Sequence, residues 1–176
     1  MIHIHQFQTP LGWLAAAASD QALLQLEFAD QKLTEKEFRS FLHRNFKDQA
    51  LSTNAVEILE ELESQIKAYF LGRAPVFDIP LAPAGTPFQR QVWQALLAIP
   101  FGTTTTYGAI AEMIGRDSAS SSSRAVGNAN ARNPIVILIP CHRVVGIKGS
   151  LTGYAGGIWR KQALLTLEGV GLPFNF

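Results

Sequence analysis

Between residues 73 and 87 the chain carries Pro75, Pro80, Pro83 and Pro87 together with Gly85. Proline has no backbone N–H and a fixed φ, so prolines at this density let neither a helix nor a central strand run through. Regular structure on either side must close before this segment or begin after it. A domain junction is therefore expected there, with an N-terminal α/β domain over residues 1–80 and a C-terminal domain over 81–176. Charge divides in the same place. Residues 1–85 hold seven Lys/Arg against eleven Asp/Glu, a net −4, and residues 86–176 hold eight against three, a net +5, in keeping with the total of +1. A positive half suits a polyanion partner, although a difference of this size also arises in proteins that never meet one.

In the first half, the alternation Ile2-His3-Ile4-His5, the turn signal Thr9-Pro10-Leu11-Gly12 and the apolar runs 13–18 and 22–28 read as a small antiparallel meander. His3 and His5 share one face of the first strand, and an exposed strand face is a plainer reading than a metal site. No metal is expected. Helices are expected over 34–46 and 54–70, the second opened by Thr53 or Asn54, with Val56, Leu59, Leu62, Ile66 and Phe70 at helical spacing and Gly72 as its stop.

The second half starts with Thr86-Pro87-Phe88-Gln89, in which Thr can cap, Pro suits the first helical position and Gln completes a capping box. A helix runs from Pro87 and stops before Pro100. Thr103–Thr106 offer caps for a short helix through Ile114 that Gly115 closes, and Ser123 can cap another that ends before Asn133-Pro134. This is a helix-turn-helix pattern, and its Ser-rich linker, Asp117 to Ser123, reads as a flexible connection. Ile135–Ile139 are five branched apolar residues, long enough for one buried strand, and Pro140 turns the chain out of it so that Cys141 stands at the strand end. Residues 157–168 form a terminal helix with Ile158, Leu164, Leu165 and Leu167 available for packing and Gly169 as its stop.

The 176 residues are 47% hydrophobic, enough for a genuine core. No apolar run reaches the length of a membrane helix, and the N-terminus lacks the order of a signal peptide, so a cytoplasmic location is the default expectation. A single cysteine cannot form an internal disulfide and falls short of a cysteine-rich zinc site, so it is either inert and buried or reactive. A thiol with a pKa near 8.5 is only about 7% ionised at pH 7.4, so a nucleophile needs neighbours that stabilise its anion. Around Cys141, Arg143 adds fixed positive charge and His142 is a candidate base. Consecutive residues in extended chain point to opposite sides, so His142 needs a tight turn or a bridging water to serve the sulfur. Judged on this adjacency alone, an inert cysteine is the plainer reading.

The wider set of residues changes that balance. Gly85-Thr86-Pro87-Phe88-Gln89 with Val92-Trp93, Ile99-Pro100-Phe101-Gly102 with Thr105, Tyr107 and Gly108, and Arg124-Ala125-Val126-Gly127 occur in order with Asn133-Pro134, Ile139-Pro140-Cys141-His142-Arg143-Val144, Gly153-Tyr154, Gly156-Gly157 and Leu164-Leu165 with Glu168. Together they closely resemble the O6-alkylguanine-DNA alkyltransferase family, and Thr9-Pro10-Leu11-Gly12 and Tyr69-Phe70 extend the likeness into the first half. The resemblance implies an α/β (α+β) fold: a ribonuclease H-like domain with a small antiparallel sheet, joined to a mainly helical, winged-helix-like domain. It also implies suicidal direct-reversal repair, in which Cys141 takes the alkyl group from O6-alkylguanine, and from O4-alkylthymine, and keeps it as a thioether.

The resemblance further implies a role for each matching residue. Glu168, His142 and a bridging water would take the thiol proton, Asn133 would brace the turn that carries the cysteine, and Tyr107 would protonate the departing guanine. Arg124 would fill the space left by a flipped base, and the pocket backbone would come from Val144, Tyr154, Ala155 and Gly156. Arg124, Ala125, Gly127, Asn128 and Ala131 would face double-stranded DNA. Small residues on that helix suit close minor-groove approach better than major-groove reading, although they equally suit tight helix packing. The resemblance implies no cofactor, no membrane and a monomer. The Ser-rich linker is longer than the family's usual spacing, and the cysteine ligands of the zinc site of some members have no counterparts. Competing readings are a non-catalytic lesion sensor, which Cys141 argues against, a sequence-specific helix-turn-helix regulator, and a cysteine hydrolase with multiple turnovers.

Overall fold

The computed structural model describes residues 1–30, 36, 40, 42, 46, 50–73, 76–117 and 120–171. The helix expected over 34–46 lies for most of its length outside the described residues, although Lys36, Ser40 and Leu42 are helical. The chain divides into two compact units, Met1–Ala84 and Gly85–Phe176.

In the first unit β1 (Ile2–Thr9), β2 (Gly12–Ala18), β3 (Leu23–Ala29) and β4 (Leu51–Ser52) form one sheet in the order β3-β2-β1-β4. The first three strands are antiparallel neighbours, and β4 runs parallel to β1. The β1–β2 turn is tight because Thr9 Oγ1 accepts from the Leu11 N–H at 3.2 Å and donates to the Gly12 carbonyl at 2.8 Å, while Gly12 takes φ +111°. Ala15, Ala16, Ala17 and Ala18 point alternately to the two faces yet are all buried, so this central strand is covered on both sides. Ala15 and Ala17 pack with Ile2 and Leu42.

α1 (Glu57–Phe70) lies against β1 and β2 and buries Leu59, Leu62, Ile66 and Tyr69. It starts later than expected. Neither Thr53 nor Asn54 caps it; the Asn54 N–H is held by Ser52 Oγ, and Val56 stands at the N-cap without a side-chain bond. Glu57 and Glu60 in the first turn face the positive end of the helix dipole instead. Gly72, at φ +73°, ends the helix as expected. The strand face carrying His3 and His5 is not an exposed one: His3 is buried and bonded to Asp20 at 2.8 Å, and His5 is half-buried and bonded to Glu63 of α1 at 2.5 Å.

The second unit holds α2 (Pro87–Leu96), β5 (Thr105–Thr106), α3 (Tyr107–Met113), α4 (Ser120–Ala131), β6 (Val144–Val145) and α5 (Ile158–Leu167). α2 begins with the expected capping box, in which the Gln89 N–H donates to Thr86 Oγ1 at 3.2 Å and the Thr86 N–H to Gln89 Oε1 at 2.9 Å. Its buried Trp93 donates to the Ala129 carbonyl of α4 at 2.9 Å, and a Cβ on Gly85 would come within 2.5 Å of that indole. Thr106 caps α3, and α3 packs on α4 to complete the helix-turn-helix pair. β5 and β6 pair in parallel.

Several expectations fail here. Ser123 does not cap α4; of the supposed flexible linker, Ser120–Ser123 already form the helix's first turn. Serine is only a moderate helix former, but this turn gains the Ser122 to Asp117 bond at 2.7 Å and runs directly into the packed remainder of the helix, which buries Val126, Ala129 and Asn130. Ile135–Ile139 are buried, as expected, but they are not a strand. Asn133 Oδ1 accepts from the Ile135 N–H at 3.0 Å and Asn133 Nδ2 donates to the Ile139 carbonyl at 2.8 Å, which folds both ends of the run back on one side chain. The turn forces Ile137 to φ +70°, an uncommon conformation for a β-branched residue. Cys141 therefore stands not at a strand end but at the start of a single 3-10 turn, Cys141–Arg143. Among the described residues no helix is long and apolar enough to cross a membrane.

Candidate active site

The Cys141–Arg143 segment is a tight 3-10 turn rather than extended chain. Cys141 and His142 no longer alternate along an extended chain; both are buried in a tight turn whose Arg143 N–H bonds back to the Pro140 carbonyl at 3.0 Å. Asn130 Nδ2 on α4 reaches the Cys141 carbonyl at 3.3 Å, and Asn133 holds the preceding segment. Two asparagines thus fix the backbone on either side of the sulfur.

Glu168, at the end of α5, is the hub beneath it. One carboxylate oxygen accepts from His142 Nε2 at 2.7 Å and Arg143 Nη2 at 3.0 Å, the other from Arg143 Nε at 2.8 Å and the Gly102 N–H at 3.2 Å. Arg143 also donates from Nη1 to the Ile99 carbonyl at 2.6 Å. Because the carboxylate only accepts, it draws the imidazole proton to Nε2 and leaves Nδ1 as a buried acceptor without a partner among the described residues. Burial holds the His142 pKa below its ordinary value despite the opposing pull of Glu168, and Arg143 and Lys161 add to the lowering. Neutral His142 is therefore a base able to receive a proton.

Arg143 does not stand as a free charge for the sulfur, as sequence adjacency suggested, because Glu168 engages it on two nitrogens. Burial raises the Cys141 thiol above its ordinary pKa, and the hydrogen bonds from Asn133 and Tyr154 and the charge of Lys161 oppose that rise without cancelling it. Lys161 and Asn130 are two buried polar residues bonded to this segment that sequence reasoning missed. Lys161, Leu164, Leu165 and Glu168 recur at helical spacing on one face of α5, and that pattern was the available signal for the lysine.

Tyr107 opens α3, half-buried, with its hydroxyl 3.4 Å from the Thr152 carbonyl. Gly127 of α4 lies over its ring, where an added Cβ would sit 3.7 Å from the aromatic edge. Arg124, Asn128 and Ala131 lie along the exposed side of α4, opposite buried Val126, Ala129 and Asn130, with Ala125 and Gly127 half-buried between them. Val144 is buried in β6, and Tyr154, Ala155 and Gly156 form the loop before α5, whose Gly157 N–H bonds the Tyr154 carbonyl at 2.9 Å and whose Arg160 holds the Gly156 carbonyl at 2.9 Å. Among the described residues, no group of three or more His, Cys, Asp or Glu is placed to hold a metal ion.

A family model described as 6-O-methylguanine DNA methyltransferase, ribonuclease-like domain, matches residues 2–83, and the DNA binding domain of the same description matches residues 87–170. The methylated-DNA–protein-cysteine methyltransferase of Methanosarcina acetivorans is 44% identical over 163 residues, which cover 93% of this chain and 96% of that protein. The crystal structure of Mycobacterium tuberculosis O6-methylguanine methyltransferase is 42% identical, with a TM-score of 0.78 and coverage of 96% of this chain and 93% of that one. The structure of Mycobacterium tuberculosis OGT in complex with DNA is 40% identical, with a TM-score of 0.78 and coverage of 94% and 92%. With both halves matched, and with a thiol and an imidazole on one turn whose histidine meets the Glu168 carboxylate at the end of α5, this chain belongs to the 6-O-methylguanine DNA methyltransferase family.

Proposed function

We propose that the protein repairs DNA by direct reversal, moving the alkyl group of O6-alkylguanine, and of O4-alkylthymine, onto Cys141 in a single irreversible turnover. The observation that carries this reading is the buried Cys141–His142–Glu168 arrangement, with His142 Nδ1 left as the acceptor beside the turn that bears the sulfur. A bridging water passes the thiol proton to His142, whose developing charge Glu168 stabilises. The thiolate attacks the alkyl carbon, an S–C bond forms, the C–O6 bond breaks, and its electron pair passes to the guanine. Tyr107 gives its phenolic proton to the ring so that guanine leaves neutral, and solvent returns a proton to the phenolate. The proton lost by the thiol balances the one gained by the base, and no step regenerates the thiol.

O6 of a paired guanine is inaccessible in the duplex, so the base must be turned out at a cost of a few kcal/mol. Arg124 would occupy the vacated stack, and Val144, Tyr154, Ala155 and Gly156 would line the pocket that receives the base. The small exposed side chains of α4 favour minor-groove docking of double-stranded DNA, with affinity drawn from phosphate contacts and the net +5 of residues 86–176. A cytoplasmic monomer needing no cofactor suffices for this chemistry. Incubation with a duplex bearing one O6-methylguanine, followed by intact and peptide mass spectrometry, should show one methyl in place of hydrogen on the peptide containing Cys141. A Cys141→Ser variant should gain nothing. A wild-type protein that binds the duplex and keeps its thiol free rules the proposal out.

A further inference from the structure

The first turn of α5 carries two large apolar side chains that the core does not take: Ile158 is 48% exposed and Trp159 55%. A single apolar side chain at a surface calls for no explanation. Trp159 differs from Ile158 in what its ring touches. The indole lies against Gly157, where an added Cβ would come within 3.2 Å of Cδ1 and Nε1. The Arg160 guanidinium lies 4.5 Å from the centre of the same ring. Arg160 is itself buried, and its Nη1 donates to the Gly156 carbonyl at 2.9 Å.

The segment these groups hold is poorly furnished to hold itself. Gly153, Gly156 and Gly157 fall within five residues, and glycine has the most backbone freedom to lose. Gly157 stands at the N-cap of α5 with φ +90° and no side-chain bond to the helix end. A guanidinium is planar and stacks on aromatic faces, so the indole fixes the plane of Arg160 and with it the direction of the N–H that meets Gly156. A lysine ammonium has no plane to be fixed in this way.

We propose that Trp159 and Arg160 form a latch on the loop before α5, the indole orienting the guanidinium and the guanidinium tethering the Gly156 carbonyl, and that the tightness of this latch sets how large an O6 substituent is accepted. Both are positioning residues that act through the Gly156–Gly157 backbone. The selection by size rests on the proposed reading of Tyr154, Ala155 and Gly156 as the wall of the base pocket; the latch itself does not.

Trp159 is more than half exposed, so Trp159→Ala removes little core packing, and Trp159→Phe keeps a ring for the guanidinium. The first measurement is amide exchange of Gly157, whose N–H bonds the Tyr154 carbonyl at 2.9 Å, by NMR on the full-length protein without DNA. Exchange should quicken about tenfold in Trp159→Ala and in Arg160→Lys, and stay within about twofold of the wild type in Trp159→Phe. Unchanged exchange in Trp159→Ala overturns the latch, and so does equal acceleration in Trp159→Phe, because stacking would then not matter. The second measurement is the single-turnover transfer rate from duplexes bearing O6-benzylguanine or O6-methylguanine. Their ratio should shift about fivefold towards the benzyl group in Trp159→Ala and return towards the wild-type value in Trp159→Phe. A ratio that stays fixed while exchange quickens overturns the role in selecting size. A wild type that takes no alkyl group from either duplex refutes the proposed function instead, and the exchange rates decide the latch without it.

Discussion

Replacing Glu168 by Gln keeps the shape of the hub and deletes its charge. The Glu168 side chain is fully buried and accepts from His142, from two nitrogens of Arg143 and from the Gly102 N–H. An amide offers one acceptor oxygen where the carboxylate offered two, and its NH2 must face a donor. Arg143, whose side chain is 10% exposed, then keeps a nearly buried charge without a counterion. Breaking a buried pair from one side costs about 3–5 kcal/mol, which at the lower end multiplies the unfolding constant by roughly 150. Urea unfolding monitored by tryptophan fluorescence measures this directly. The reasoning makes a sharper demand on the double variant: adding Arg143→Met to Glu168→Gln removes the stranded charge, so the two losses should fail to add by about 2 kcal/mol or more. A loss below about 1 kcal/mol for Glu168→Gln, or additivity within about 0.5 kcal/mol, would refute the claim that this pair holds the site together.

Two other perturbations probe the same turn. Asn133→Ala leaves the Ile135 N–H buried without its partner, at about 1–3 kcal/mol, and takes one of two donors from the Ile139 carbonyl, which keeps the Cys141 N–H at 2.8 Å; urea unfolding should show a total loss of about 1–4 kcal/mol together with slower alkyl transfer. His142 has a folded pKa below its ordinary value of 6.5, so the unfolded chain binds its proton first; the stability it contributes is present above about pH 6.5 and is lost as pH falls below it. The decline in urea midpoint between about pH 7 and pH 5 should therefore be shallower in His142→Gln than in the wild type, and equal slopes would contradict a buried neutral imidazole.

Local chemistry in the sequence determined the elements whose ends are set by neighbouring residues. Thr9-Pro10-Leu11-Gly12 turned, Thr86-Pro87-Phe88-Gln89 capped α2, Thr106 capped α3, and Gly72 and Gly169 stopped their helices at positive φ. The proline-dense segment interrupted regular structure between the two units. Cys141, His142 and Glu168 could be nominated together only through family resemblance, since 26 residues separate the imidazole from its carboxylate.

Tertiary structure decided what composition left ambiguous. Five branched apolar residues satisfy a strand and a buried turn equally well, and Ile135–Ile139 became a turn because a single side chain, Asn133, captures both of its ends. Serine is a helix breaker or a first-turn residue according to whether the residues after it find a packed face, and Ser120–Ser123 joined α4. Arg143 and Lys161 are both cations near the sulfur along or across the fold, but only packing determines that the first is neutralised by Glu168 while the second is left facing carbonyls. Backbone preferences act over a few residues and can be read in order; charge compensation depends on which distant groups are buried together, and only the folded chain fixes that.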